Sequence, residues 1–260
     1  MKVSEKTGRS PYRIPSKLKE KKETVLQGLL KLKSYVENND YRGYDPYDGL
    51  MSPLFKLPLL KSNKLIRFGT QQLVKRLPFN IRPLLFVQKG YNPVTLGLCI
   101  QAYAYLAKAE PENYDTHVAK IMHLANELKQ LKSEGYSGLC WGYDFDWEAR
   151  YAKMPAYMPT VVATGIISNA IYVAYEVTGE QKLSKMVESC AEFVLNDLNQ
   201  TELDGNICFS YSPDDEQQVF NASMKGVRIL AQAYAINQKK ELLQLAESGV
   251  KFVVNQQDKD

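Results

Sequence analysis

From residue 92 onward, the spacing of hydrophobic and polar positions alternates between two patterns, and both predict helices. In the amphipathic pattern, apolar residues recur at i, i+3, i+4 and i+7, as at Leu183, Met186, Val187 and Cys190. This pattern covers residues 115–134, 180–199 and 239–257. The other pattern is apolar on nearly all sides and rich in small residues, and it covers residues 92–108, 159–177 and 221–236. Strand patterns are scarce, so the chain is predicted to be all-α.

The alternation is an internal repeat. Residues 170–183 align with residues 229–242 at an offset of 59, and the helices that follow them share this offset. One step earlier in the chain, Gly135 matches Gly205 at an offset of 70. Near-constant offsets over whole pairs of helices predict a chain of repeated helical hairpins.

The two kinds of helix suggest a ring with two layers. Helices that are apolar on all sides would lie inside, and amphipathic helices would lie outside with one face in water. About eight or nine helices are predicted. Small residues would let the inner helices approach closely, and they are Gly97, Ala163, Gly165, Ala222 and Gly226.

The connections between helices are asymmetric. Those from an inner to an outer helix are short, as at residues 178–180 and 237–238. Those from an outer to an inner helix are long and rich in aromatic and acidic residues, as at 135–158 and 205–220, and residues 41–52 share this composition. In an antiparallel arrangement the long loops all emerge at one end, which is where a functional site is expected.

Charge divides the chain in two. Residues 1–90 carry 19 Lys and Arg against 7 Asp and Glu, whereas the remaining residues carry 14 against 22. We expect residues 1–90 to form a basic helical region that packs on the hairpin repeats of residues 91–260, as one domain overall.

The basic third mixes its charges with Leu, Ile and Phe, so two alternatives stay open: a peripheral contact with an anionic membrane, or a solvated face over an ordinary core. No nucleic-acid motif accompanies the charge, and nucleic acid is not an expected partner.

Several other features narrow the class of protein. The four cysteines form no CxxC pair and predict free, mostly buried thiols in a reducing compartment. The first residues contain no apolar run typical of a secretory signal, so a cytoplasmic protein is expected.

Residues 158–177 are long enough to span a bilayer, but their polar residues favour a buried helix of a globular fold. His117 and His123 lie on opposite faces of one helix, and neither a metal nor a cofactor is expected.

The stretches "CWGYDFDWEARYAKMPAYMPTVVATGIISNA" and "CFSYSPDD", set in the hairpin repeat, carry a resemblance over roughly residues 90–260. The chain resembles the α/α-toroid proteins, which include six-hairpin glycosidases, sugar epimerases, polysaccharide lyases and terpenoid cyclases. It is similar to uncharacterised toroid proteins linked to polysaccharide biosynthesis. The ending "VKFVVNQQDKD" resembles the start of a repeat of the cyclase group, without that repeat's Gly and Trp. The resemblance implies an α/α toroid that acts on or binds a carbohydrate. Closed toroids of this type have more helices than the eight or nine predicted here, so the resemblance also implies an incomplete ring, either truncated or covered by a second subunit at its open edge.

The long loops supply candidate site residues for a sugar. Aromatic faces stack on pyranose rings and carboxylates accept hydrogen bonds from hydroxyls. Asp144 and Asp146 are two apart and should point to opposite faces, so a catalytic pair would join one of them to an acid of another loop. The candidate catalytic acids are Asp144, Asp146, Asp45 and Asp214, and the candidate substrate-binding residues are Trp141, Tyr143, Trp147, Tyr47, Tyr157, Tyr211 and Asn221.

Two functional hypotheses follow. In the first, the protein processes carbohydrate as a glycoside hydrolase, polysaccharide lyase or sugar epimerase. In the second, it is a non-catalytic scaffold that binds a glycan or a partner enzyme, with a peripheral contact to a membrane. The acids have a simpler alternative role as well, because they suit hydrogen bonds to loop backbone or caps of the following helices. "DFDW" also resembles, loosely, the acid motif with which terpenoid cyclases protonate an alkene.

Overall fold

The computed structural model describes residues 16–148 and 153–257. The described residues up to Arg42 form one compact unit, and the chain from Gly43 onward forms a second. The first unit contains α1 (Ser16–Asn38), a mostly exposed helix. The second unit joins the basic segment after Gly43 to all the hairpins, and the division into residues 1–90 and 91–260 stays a prediction. Of those two predicted regions, residues 1–15, 149–152 and 258–260 lie outside the described residues.

Six helices of the second unit form three antiparallel hairpins, which confirms the predicted alternation. The inner helices contact one another in chain order, and each outer helix packs on the inner helix that precedes it. With α1, α2 (Pro58–Ser62) and α3 (Lys64–Arg76), the described residues contain nine α-helices. The inner helices are α4 (Pro93–Ala109), α6 (Val161–Thr178) and α8 (Phe220–Asn237), and the outer helices are α5 (Tyr114–Gln130), α7 (Gln181–Asn196) and α9 (Lys240–Asn255).

The repeat is visible in the backbone as well as in the sequence. The second and third hairpins keep the offset of 59, since α6 and α8 begin at Val161 and Phe220. Gly135 and Gly205, matched at an offset of 70, both adopt the left-handed conformation, with φ of 87° and 70°. The two matched glycines therefore share a backbone conformation that other residues rarely adopt.

Small residues bring the inner helices together, as predicted. A Cβ added at Gly97 of α4 would lie 3.2 Å from the backbone of Ile167 in α6. A Cβ at Gly165 of α6 would lie 2.6 Å from the Cβ of Lys225 in α8. Because either distance is shorter than ordinary van der Waals contact, these glycines set how closely the inner helices pack.

Helix α6 is the one helix of the described chain that is long and apolar enough to cross a membrane. Nine of its eighteen residues are buried, and it packs against α4, α7 and α8. This packing agrees with the predicted core helix. The four cysteines are free thiols, and Cys140, Cys190 and Cys208 are buried, also as predicted.

Two small antiparallel ribbons are additions that the sequence pattern did not predict. β1 (Trp147–Glu148) pairs with β2 (Lys153–Met154), and β3 (Gln200–Leu203) pairs with β4 (Asn206–Phe209). Both belong to connections from an outer to an inner helix. Strands of two to four residues are too short to show an alternating pattern, which explains why they were missed.

The segment from Gly43 to Tyr91 packs against the loop end of the first hairpins. Helix α3 contacts the turn that starts at Asp48, and it also contacts β1. Gly43 and Gly90 exchange two backbone hydrogen bonds of 3.0 Å, which closes the segment on itself. This arrangement carries residues 43–48 to the end of the hairpins where the long loops emerge.

Candidate functional site

A cavity of about 230 Å³ lies where the Gly43–Tyr91 segment meets two long loops. Three separate stretches of chain contribute to its wall. They are the turn after Gly43, the loop between α5 and α6, and the loop between α7 and α8. We call it the aromatic pocket, and its lining residues are Asp45, Pro46, Tyr47, Tyr143, Phe145, Trp147 and Tyr211.

Asp45 is fixed by its own turn and by the start of α4. One carboxylate oxygen accepts a 2.9 Å hydrogen bond from the Tyr47 backbone N–H, and the other accepts one of 2.9 Å from Asn92 Nδ2. Asn92 also caps α4 by accepting from the N–H groups of Val94 and Thr95. Burial raises the pKa of Asp45, and these hydrogen bonds together with the Arg82 charge offset part of the rise. The carboxylate thus has a defined position in the wall of the pocket.

Asp48 and Arg82 form a buried ion pair behind this turn. The Nε of Arg82 lies 2.6 Å from a carboxylate oxygen of Asp48, and both side chains are almost fully shielded from solvent. Arg82 also donates to the Asp45 backbone oxygen. Burial raises the pKa of Asp48, although the Arg82 hydrogen bond and charge act in the opposite direction. The pair fixes the shape of the turn that carries Asp45 and Tyr47.

Asp144 lies close to these two acids. Burial raises the pKa of the Asp144 carboxyl, and the charges of Asp45 and Asp48 raise it further, while a hydrogen bond to its own backbone N–H lowers it. One of its oxygens lies beside Gly90, where an added Cβ would approach it to 3.3 Å. Among the described residues, no Lys or Arg forms an ion pair with Asp144. Asp144 is therefore a half-buried acid next to the pocket, although it does not line it.

Asp146 points elsewhere, as its spacing from Asp144 predicted. One oxygen accepts a 2.9 Å hydrogen bond from the buried Arg67, and the other accepts one of 3.0 Å from the Ala156 backbone N–H. Gln71 donates to the Asp146 backbone oxygen at 3.4 Å. Asp146 thus joins α3 to the loop between α5 and α6, which is a structural role rather than the predicted catalytic one.

Five aromatic rings line the pocket. Tyr143 stacks on Phe145 with ring centroids 5.3 Å apart, and Tyr47 meets Trp147 edge to face at 6.2 Å. Burial raises the pKa of Tyr143 and of Tyr211, so both phenols remain protonated donors at neutral pH. The four predicted rings in this pocket come from residues up to 164 positions apart (Tyr47 to Tyr211), and the fold brings them to one wall.

Trp141 is a correction to the predicted site. Its side chain is fully buried, and its indole N–H donates to the Leu128 carbonyl oxygen at 2.8 Å. A ring without exposed surface cannot stack on a sugar. Trp141 is therefore part of the core under the loop, and Trp147 is the tryptophan that faces the pocket.

Three further predicted residues do not line the aromatic pocket. Tyr157 is exposed and lines a different cavity of about 480 Å³, together with Tyr136 and Met158. Asp214 and Asn221 are exposed, and neither lines the pocket. The structure therefore does not bring Tyr157, Asp214 and Asn221 into the wall of the aromatic pocket with the other predicted site residues.

Asp215 binds the backbone of its own loop. It accepts hydrogen bonds from the N–H groups of Tyr211 and Gln217, at 3.1 and 2.9 Å. Helix α8 begins later, at Phe220, and has no side-chain cap. Asp215 thus hydrogen-bonds the backbone of its loop, as one of the two simpler roles predicted for these acids, and it does not cap the following helix.

Sequence reasoning missed several residues that build the site. Arg82, Asn92 and Gly90 all lie 34 or more positions from the acids that they contact, and no local pattern joins them. Asp48 was not missed, because it shares the stretch "YDPYD" with Asp45 and belongs to the acidic segment 41–52 that the sequence places at the site. In the described part of the chain, no group of three or more His, Cys, Asp or Glu side chains is arranged to hold a metal ion.

No protein-family model, curated protein or solved structure matches the chain. The resemblance to toroid proteins therefore rests on the hairpin repeat and on the loop motifs quoted above.

Proposed function

We propose that the protein binds a carbohydrate in the aromatic pocket, as a component of polysaccharide biosynthesis built on an incomplete α/α toroid. The observation that carries this proposal is the meeting of an oriented carboxylate, Asp45, with four tyrosine and tryptophan rings in one wall. Rings supply flat apolar faces for a pyranose, and the carboxylate and phenols supply hydrogen bonds for its hydroxyl groups.

The size of the pocket limits the ligand. Its volume of about 230 Å³ is smaller than the 300–1,000 Å³ typical of sites for drug-sized molecules. A single sugar ring, or one ring of a longer chain, is the ligand that suits this space. The carboxylate in the wall and the neighbouring Asp144 favour neutral or amino sugars over uronic acids, because like charges repel at short range.

Binding is better supported than hydrolysis. A glycosidase needs two carboxyl groups on either side of the scissile bond. Among the described residues, Asp45 is the one carboxylate that lines the pocket, whereas Asp146 pairs with Arg67 and Asp214 is exposed. Asp144, with its raised pKa, is the candidate general acid if a reaction takes place.

A thermal-shift screen of neutral, amino and uronic sugars tests the proposal. We expect a sugar to raise the melting temperature of the parent protein, and we expect Tyr143→Ala and Asp45→Asn to abolish this shift. Tyr157→Ala and Asp214→Asn are matched controls, because they remove the same groups outside the pocket, and they should keep it. Loss of the shift in the controls but not in the pocket variants would refute the proposed site.

The non-catalytic scaffold remains a second candidate function. It is favoured by one observation, the exposed apolar side chains of the Gly43–Tyr91 segment. A sugar pocket and a docking surface are compatible, and they are tested separately.

A further inference from the structure

The outer surface of residues 51–86 is unusually apolar. These 36 residues contribute ten of the large hydrophobic side chains that are exposed, whereas the described residues from 87 to 257 contribute seven. We call this the apolar basic surface, and its six most exposed members are Leu57, Leu59, Leu65, Phe79, Leu84 and Phe86. A segment with this many exposed large apolar side chains favours contact with another molecule or with a membrane.

Helix α3 shows that this exposure follows a pattern. Its buried side chains are Arg67, Gln71 and Val74, which recur at i, i+4 and i+7 and so form one face. Leu65 and Leu73 lie on the other side and are 82% and 53% exposed. The helix therefore places polar groups inside and leucines outside, the reverse of an ordinary surface helix.

The inward polar groups have partners that hold the helix in this orientation. Arg67 pairs with Asp146, and Gln71 donates to the backbone oxygens of Tyr47 and Asp146. A rotation that buried the leucines would break these contacts and leave Asp146 without its cation. The leucines are thus fixed in an outward position.

The charges that residues 51–86 carry have one sign. The sequence contains no Asp or Glu between Asp48 and Glu110. Lys56, Lys64, Lys75 and Arg76 are exposed within the surface, and Lys89 is exposed just after it in the chain. Such a surface attracts an anionic partner and opposes a second copy of itself, because two identical basic faces repel when they meet across a two-fold axis.

We propose that the apolar basic surface docks on an anionic lipid membrane, with its Leu and Phe side chains at the boundary between headgroups and acyl chains. Leucines spread over several short elements and interleaved with lysines suit this boundary, where basic residues meet lipid phosphates. Phe86 agrees with this role, since the residue is 69% exposed. The proposal stands independently of the sugar pocket.

Co-sedimentation of the full chain with vesicles tests this proposal. One set of vesicles is phosphatidylcholine alone, and the other contains about 30% phosphatidylserine. We expect binding to the anionic vesicles, weakened by salt, and weaker binding to the neutral ones. The triple variant Leu59→Ser, Leu65→Ser, Leu84→Ser should reduce the affinity at least about tenfold, because each leucine transfers apolar area out of water. Replacing Lys56, Lys64 and Arg76 with Gln should also weaken binding, most strongly at low salt.

The matched control is the triple variant Leu203→Ser, Val250→Ser, Val254→Ser, which removes three exposed apolar side chains from the hairpins and should bind like the parent. All the substituted positions are exposed, so circular dichroism should show unchanged folding. Equal losses in the two triple variants, or equal affinity for neutral and anionic vesicles, would overturn the proposal. Absence of vesicle binding, or self-association of the parent that the leucine variant abolishes, would overturn it too.

Discussion

In the helical hairpins, Leu96, Ile167 and Leu183 are fully buried, and the charged side chains lie on the outer faces. In the segment from Gly43 to Tyr91, the buried side chains include Asp48, Arg67 and Gln71, while most leucines face outward. The hairpins hold together by apolar packing between neighbours in sequence. The segment is held by polar contacts with distant residues, such as Arg67 with Asp146, 79 positions away.

This difference shows that one kind of interaction stabilises the fold and another positions the Gly43–Tyr91 segment. Apolar burial drives folding of the hairpins, at roughly 25 cal/mol per Å². A buried ion pair adds little net stability over apolar residues of the same shape, but it is costly to break by removing one partner. The Gly43–Tyr91 segment is therefore positioned by its ion pairs, and its leucines remain available for contact with another surface.

The largest expected effect comes from removing one charge of the buried pair. Arg82→Met leaves Asp48 buried without its cation, so the free energy of unfolding should fall by about 3–5 kcal/mol. Urea unfolding near neutral pH measures this loss. The double variant Asp48→Leu, Arg82→Met should recover most of it, because no uncompensated charge remains. A loss below about 1 kcal/mol, typical of a surface ion pair, would contradict a structural role for the pair.

Truncation of apolar side chains should distinguish the two regions. Ile167→Ala opens a cavity between α4 and α6 and should cost about 2–5 kcal/mol of unfolding free energy. Leu65→Ala removes an exposed side chain and should change the same quantity by no more than about 0.5 kcal/mol. Chemical denaturation of both variants measures the contrast. Similar losses at the two positions would show that the leucines of α3 are part of a core.

The smallest effect concerns pH and tests the region where the hairpins and the segment meet. The pKa of Asp144 is raised in the folded protein above its ordinary value of 3.8. Between pH 3.8 and the raised pKa, the folded state therefore binds a proton that the unfolded chain has released. As the pH rises through this range, the carboxyl lowers the stability of the folded state. Asp144→Asn should be slightly more stable than the parent at neutral pH and equally stable below 3.8.

Unfolding of the parent, Asp144→Asn and the exposed control Asp214→Asn across this pH range measures the difference. The control should follow the parent. A variant at Asp144 that loses stability at neutral pH would mean that the carboxylate is held by favourable contacts and not by a desolvated position.

How much the sequence predicts depends on the range of the contacts. Helix α8 was predicted at 221–236 and lies at Phe220–Asn237, because a helical period is a local property. The loop end was also predictable, since antiparallel hairpins send all long connections to one side. The contrast between Trp141 and Trp147 was not, because both sit in the same aromatic loop. The two rings differ in contacts that only the folded chain makes. The indole N–H of Trp141 donates to the Leu128 carbonyl oxygen in the core, whereas Trp147 lines the aromatic pocket.

The polar interior of the Gly43–Tyr91 segment was equally beyond local patterns. Arg67 and Arg82 belong to a run that reads as basic surface, yet both are ion-paired inside the protein. Their partners come from other stretches of chain, and periodicity carries no information about such pairs.

The fluorescence of Trp147 tests the central claim most directly, namely that a sugar binds where the two regions meet. The chain has two tryptophans; Trp141 is fully buried, and Trp147 lines the aromatic pocket. Titration with the sugar that gives the largest thermal shift should change the emission in a saturable way. We predict that this change disappears in Trp147→Phe and in Asp45→Asn. A saturable change that persists in Trp147→Phe, or no change with any sugar class, would contradict the account.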